Sequence, residues 1–201
     1  VTDANGCTKT TSVTVVGKAY PNQTVHILED GAEIGTVRAG AYAAFQFNTE
    51  SEPGATTFGF WALDANGTRS TTFNTTFDVT QGAVTTISGV YIPPSVSLSA
   101  TSVARCETIT MRGQTVPNTV VKIHINTNQI IEQVVSGADG RWTYAFLTSR
   151  VSQASHTVKV KFELPEASAT TKKESTFSNT LAFGVGVQAA ATASSADLNR
   201  D

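Results

Sequence analysis

The sequence predicts an all-β chain of two tandem sandwich domains. Three observations carry that expectation: an internal repeat, apolar residues that alternate with polar ones, and turn residues at short intervals. The repeat is clearest where "SVTVVGKAYPNQTVHI" (Ser12 to Ile27) aligns with "TITMRGQTVPNTVVKI" (Thr108 to Ile123) at an offset of 96. Gly17 then matches Gly113, Pro21-Asn22 matches Pro117-Asn118, and Val25-x-Ile27 matches Val121-x-Ile123. Further on, "GAYAAFQFN" faces "GADGRWTYAF", "TTFGFWALD" faces "HTVKVKFEL", and "TFNTTFDV" faces "TFSNTLAFGV". The order is kept while the offset drifts to about 100, as short loop insertions produce in a tandem copy.

Taken in chain order, residues 1–11 form an N-terminal segment. Its "VTDANGCTKTT" is similar to "ALDANGTRSTT" from Ala62 onward, so it reads as the end of an upstream repeat. Residues 12–94 are the first domain. "YIPPSV" follows, with Pro93-Pro94 expected to act as a stiff extended hinge, because each proline fixes its own φ and biases the preceding residue to extended backbone. Residues 95–186 are the second domain, and residues 187–201 turn to Ala, Ser and Thr without periodicity, a linker composition. Within the copies, Val158, Val160, Phe162 and Leu164 alternate with Thr157, Lys159, Lys161 and Glu163, the period of a strand buried on one face. By alignment Phe58, Phe60 and Ala62 point inward. Trp142 aligns with Phe45 and belongs to the core. Turn signals such as "PN", "EDG", "EPG", "DANG" and "ADG" recur every 8 to 12 residues, and no segment sustains an apolar period of 3.6. Short alternating strands with regular turns indicate antiparallel sheets packed face to face.

Composition narrows the partners. Charged residues are 15% of the 201, against roughly 25% in an average soluble protein, and the net charge is −2. No basic field exists to attract nucleic acid. No apolar run approaches the roughly 20 residues of a membrane-spanning helix, so no transmembrane segment is expected. The chain opens on Val1 in mid-motif and is read as a piece of a longer polypeptide. Cys7 and Cys106 fall at similar places in different repeats, so the expectation is free or intermolecularly paired thiols.

No catalytic constellation is visible. His26, His124 and His156 occupy unequal positions in the two copies, and none lies in a nucleophile motif. No Cys or His spacing suits zinc. Asp30, Glu33, Glu50, Glu52, Asp64 and Asp139 sit at turns, where acids cap and solvate. Trp61 aligns with Lys161 on the outward face beside Gly59, which makes it a candidate ligand or partner contact, a flat surface for a sugar ring. Sequons occur at Asn22, Asn66 and Asn74, and an intramolecular crosslink would have to pair Lys9 or Lys18 with Asn74. The last five residues, "DLNRD", place Asp197, Asn199 and Asp201 at positions 1, 3 and 5 of a calcium-loop pattern. Three side-chain oxygens fall short of the six to eight that calcium takes, so these residues are a partial metal site.

The strings "GKAYPNQTVHI", "GQTVPNTVVKI", "ADGRWTY" and the "GVYIPPSV" connector resemble tandem bacterial immunoglobulin-like domains of exported surface proteins. The tail from Asp197 to Asp201 is similar to the opening of a dockerin-like module. The first resemblance implies two immunoglobulin-like antiparallel β-sandwich domains, an extracellular or cell-surface location and no enzymatic activity. The second implies calcium as cofactor of a complete module and a cohesin-like protein as its partner. Three functions fit: a structural spacer or fibre subunit able to self-associate through edge strands or tail, a carbohydrate-binding or adhesive module, and the accessory region of a larger secreted enzyme.

Overall fold

The structure is a computed structural model that describes residues 10–164 and 173–186. The expected Cys7 thiol, the calcium-loop residues Asp197, Asn199 and Asp201, and the Ala/Ser/Thr tail lie outside the described residues. The fold is all-β, two β-sandwiches in tandem. Seven strands come first: β1 (Ser12–Lys18), β2 (Thr24–Glu29), β3 (Ala32–Arg38), β4 (Ala44–Glu50), β5 (Gly54–Ala62), β6 (Phe73–Val79) and β7 (Val84–Tyr91). They form the sheets β4-β1-β7 and β3-β2-β5-β6. Eight follow: β8 (Ser97–Leu98), β9 (Ser102–Ala104), β10 (Thr108–Gln114), β11 (Val120–Ile125), β12 (Ile130–Val135), β13 (Arg141–Leu147), β14 (Ser155–Glu163) and β15 (Leu181–Gly186). They form β13-β10-β8 and β12-β11-β14-β15-β9.

Each pair of sheets encloses its own core. Val13, Val15, Val25, Ile27, Phe45, Phe58 and Phe60 fill the first, at alternate positions of their strands as the period-2 pattern predicts. Ile109, Met111, Val121, Ile123, Trp142, Phe146, Val158 and Val160 fill the second. A fully buried side chain of this size stabilises by about 2 to 3 kcal/mol, so these residues hold the sheets together. Cys106 sits exposed in the turn before β10, with φ 70.

Two pairings depart from an antiparallel scheme: β1 runs parallel to β7, and β15 runs parallel to β9. The first reveals how the chain is threaded. The slot beside β1 is filled by β7, whereas the slot beside the equivalent β10 is filled by β8, running antiparallel. The chain climbs β7 to the end of the first sandwich marked by Lys18, and it enters the second at the matching end of β10, where Ser95 N donates to Gln114 O at 3.0 Å. The same end of each copy therefore faces the other, and one slot is filled from opposite directions. Gly17 and Gly113 make both fillings possible. A Cβ at Gly17 would lie 2.4 Å from Val90 O, and one at Gly113 would lie 2.0 Å from Ser95 O.

The connector is not an extended hinge. Ile92, Pro93, Pro94, Ser95 and Val96 are all buried. Two adjacent prolines supply no N–H donors to satisfy there, and the apolar neighbours Ile92 and Val96 join the first and second cores respectively.

Candidate functional site

A hydrogen-bonded network closes the joint between the sandwiches. β5 ends in the turn Asp64-Ala65-Asn66-Gly67, with Gly67 at φ 81, the left-handed region that favours glycine. Asp64 is 4% exposed, unlike the solvated turn acid the sequence suggested. Its Oδ1 accepts from Asn66 N and Thr68 N, each at 2.8 Å, and its Oδ2 accepts from Ser95 Oγ at 2.6 Å. Ser95 Oγ in turn accepts from Gln114 N at 2.9 Å. Gln114 completes the chain: its Oε1 accepts from Ala65 N at 3.0 Å and its Nε2 donates to Asp139 O at 2.9 Å. A buried carboxylate is tolerated because its lone pairs are taken by these donors.

Three further contacts lock the same joint. Tyr20, fully buried, donates its hydroxyl to Pro93 O. Burial, and then the Asp64 carboxylate nearby, hold the Tyr20 phenol well above the usual tyrosine range, so it stays a donor. Ala43 packs with Val116 and Phe162, flanked by Tyr91 and Leu164, in an apolar cluster drawn from both sandwiches. On the outer side Thr71 Oγ1 donates to Phe177 O at 2.8 Å. The sequence carried one signal for this joint, the "DANG" string present at both 3–6 and 64–67.

Trp61 lies on the outer face of β5, as aligned, but it is half-buried. His26 on β2 stacks on its ring, with centroids 3.8 Å apart and planes 4° apart. The Arg69 guanidinium lies 4.3 Å from the ring centroid. His26 reaches it from the β2 side and Arg69 from the β6 side, because the Arg69 backbone bridges to Leu63 there. Both ring faces are occupied, so the side chain that stacking a sugar requires is already stacked. Glu33 sits 3.2 Å from His26 Nδ1.

The remaining sequence candidates are scattered. His124 is buried against Phe177, and His156 is held by Asn126 and by Ser152 O, so all three histidines are taken up in packing. Asn22, Asn66 and Asn74 are exposed. Lys18 and Asn74 belong to different sheets of the first sandwich. Among the described residues, no group of three or more His, Cys, Asp or Glu is placed to hold a metal, and no helix is long and apolar enough to cross a membrane.

No family model matches the sequence, and no curated protein matches it. Among solved structures, the chain is similar to one concerned with host cell surface retention of a 1.5-MDa bacterial ice-binding adhesin, at 14% identity and TM-score 0.38, covering 87% of this chain and 58% of that one. It is also similar to fibronectin(III)-like modules of Clostridium thermocellum CbhA, at 13% identity and TM-score 0.34, covering 87% of this chain and 88% of that one. The D00-D0 domain of intimin is similar at 14% identity and TM-score 0.32, covering 85% and 98%. The chain spans 58%, 58% and 55% of the first three solved chains it resembles.

Proposed function

We propose that this chain is a rigid, non-catalytic two-domain spacer of an extracellular surface protein. The observation that carries the reading is the buried joint, where a connector that composition would make a hinge is enclosed by Asp64, Gln114 and Tyr20. A flexible tether needs no such network. A spacer that must keep its two ends apart does. Ser12 and Gly186 lie at the ends of their sandwiches remote from the joint, since Ser12 pairs with Glu50 and Val84, and Gly186 with Ala104. The proposal includes the dockerin-like reading of Asp197, Asn199 and Asp201, whose oxygens would contribute to a calcium loop completed by further ligands.

The test is a distance distribution. Spin labels at Glu52 and Gln153, both exposed and both remote from the joint, should give one narrow peak in pulsed dipolar spectroscopy, with Cys7 and Cys106 replaced by Ser. A distribution as broad as that of a tethered pair would overturn the rigid spacer.

A further inference from the structure

A polar groove runs beside the joint with walls from both sandwiches. One part, of about 440 Å³, is lined by Asn66 and Thr68 from the first sandwich and by Arg112, Arg141 and Thr143 from the second. It adjoins a hollow of about 480 Å³ that includes Asn22 and Gln23, and Arg141 lines both. We propose that this groove binds an acidic oligosaccharide, with a uronate carboxylate held between Arg112 and Arg141.

Register puts the two arginines together. Arg112 faces Thr143 and Gln114 faces Arg141, so Arg112 and Arg141 are diagonal neighbours on one face of the β10–β13 pair. Arg112 has no acidic partner among the described residues. Arg141 has Asp139 at 3.6 Å, with side chains 59% and 63% exposed, a weak pairing that a bidentate ligand carboxylate can replace. Two guanidinium groups against one carboxylate leave the groove cationic in a chain of net charge −2.

The rest of the lining selects a sugar over a peptide. Asn66, Thr68 and Thr143 present amide and hydroxyl groups suited to a ring bearing several hydroxyls. Trp142, between Arg141 and Thr143 in sequence, turns its side chain into the second core at 2% exposure and so offers no apolar pocket for a peptide side chain. Because the joint is enclosed, the two backbone walls are already held in position, and binding has to order only the exposed side chains.

The test is titration of the full chain with tetragalacturonate, followed by amide chemical shifts and calorimetry, beside neutral galactotetraose and tetraglutamate. The expected result is saturable binding of tetragalacturonate, with shifts at Asn66, Thr68, Arg112 and Arg141. Affinity should fall at least tenfold in the double variant R112Q/R141Q, whose unfolding midpoint should match the parent because both side chains are exposed. Trp61→Ala should leave affinity unchanged. Absence of saturable binding at millimolar tetragalacturonate would overturn the proposal, as would undiminished binding by R112Q/R141Q. So would binding lost in Trp61→Ala, galactotetraose binding as tightly, or tetraglutamate binding as tightly, the last of which would make this an acidic-peptide site.

Discussion

Ser95 donates to Asp64 at 2.6 Å across the junction, joining the end of β5 to the strand that enters the second sandwich. The same carboxylate accepts from two backbone N–H groups of its own turn. Asp64→Ala therefore strands three donors, two of them in the turn that positions Ala65 against Gln114. Hydrogen bonds to a charged group contribute about 1.5 to 3 kcal/mol each and do not add fully, so the variant should lose about 3 kcal/mol. Ser95→Ala removes one donor to Asp64 and one acceptor for Gln114 N, and should lose about 1 to 2 kcal/mol. Urea unfolding reads both. A loss below 1 kcal/mol for Asp64→Ala would mean the joint contributes little to stability.

Gly113 and Gly31 separate steric cost from backbone cost. A Cβ at Gly113 meets the Ser95 backbone at 2.0 Å, and backbone cannot swing aside as a flexible side chain would. Gly31 has φ +87 and open space around it. Gly31→Ala should lose about 1 kcal/mol from conformational strain alone. Gly113→Ala should lose about 3 kcal/mol or more and shift the amide resonances of Ser95 and Gln114, because the crossing chain must move. Equal losses in the two variants would contradict the crossing geometry.

Acid should weaken the outer face of the second sandwich. Lys122 Nζ lies 2.6 Å from Glu163 Oε2 and 2.8 Å from Glu174 Oε1, and Lys161 also pairs with Glu174. Hydrogen bonds from Lys122 first, then Lys161, hold the Glu174 carboxyl below the usual glutamate range. A depressed carboxylate stabilises the fold above its unfolded value, about 4.3, and that stabilisation is lost as pH falls through the folded value. Glu132, lowered by Tyr144 and then Arg150, adds in the same direction. The urea midpoint should therefore drop as pH falls from 5.5 towards 3, and Lys122→Met should reduce that slope. An unchanged slope would show that Lys122 does not hold Glu174 in its ionised form.

Much of the fold was legible in the sequence because burial on one face leaves a local record. Val158 to Phe162 alternate with lysines, Phe58 and Phe60 sit where the repeat places them, and Trp142 is core. What escaped was long-range. Asp64 reads as a turn acid from its neighbours, and its partner across the joint, the Ser95 hydroxyl, comes from 31 residues further along the chain. Pro93-Pro94 reads as a hinge because proline stiffens a chain locally, while the apolar Ile92 and Val96 on either side are what draw it inside. Trp61 was placed on the correct face. Its loss of open ring surface depends on His26, across the strand pair, and on Arg69, eight residues away, and neither pairing has a local period.

The two copies treat equivalent outer strands differently. β3, at the edge of the first sandwich, has a register irregularity opposite Ile27/Leu28 and carries Gly35, Glu33 and Arg38, features that discourage pairing with another chain. β12, its counterpart, pairs with β11 through all six residues without interruption. Its sequence is Ile-Ile-Glu-Gln-Val-Val, and the one charge, Glu132, is taken by Arg150 at 2.5 Å. Ile131 and Val135 are 48% and 63% exposed on the outer face, with Gln133 between them. Two β12 strands laid antiparallel about Gln133 would set Ile131 of one against Val135 of the other, apolar cross-strand pairs with no like charges opposed. Sedimentation equilibrium should therefore detect a concentration-dependent dimer. Ile131→Lys with Val135→Lys should return the chain to a monomer with its unfolding midpoint retained, since both side chains are exposed and four lysines would then face one another. A parent chain that stays monomeric at millimolar concentration, or a double variant that still dimerises, would remove β12 as a self-association edge.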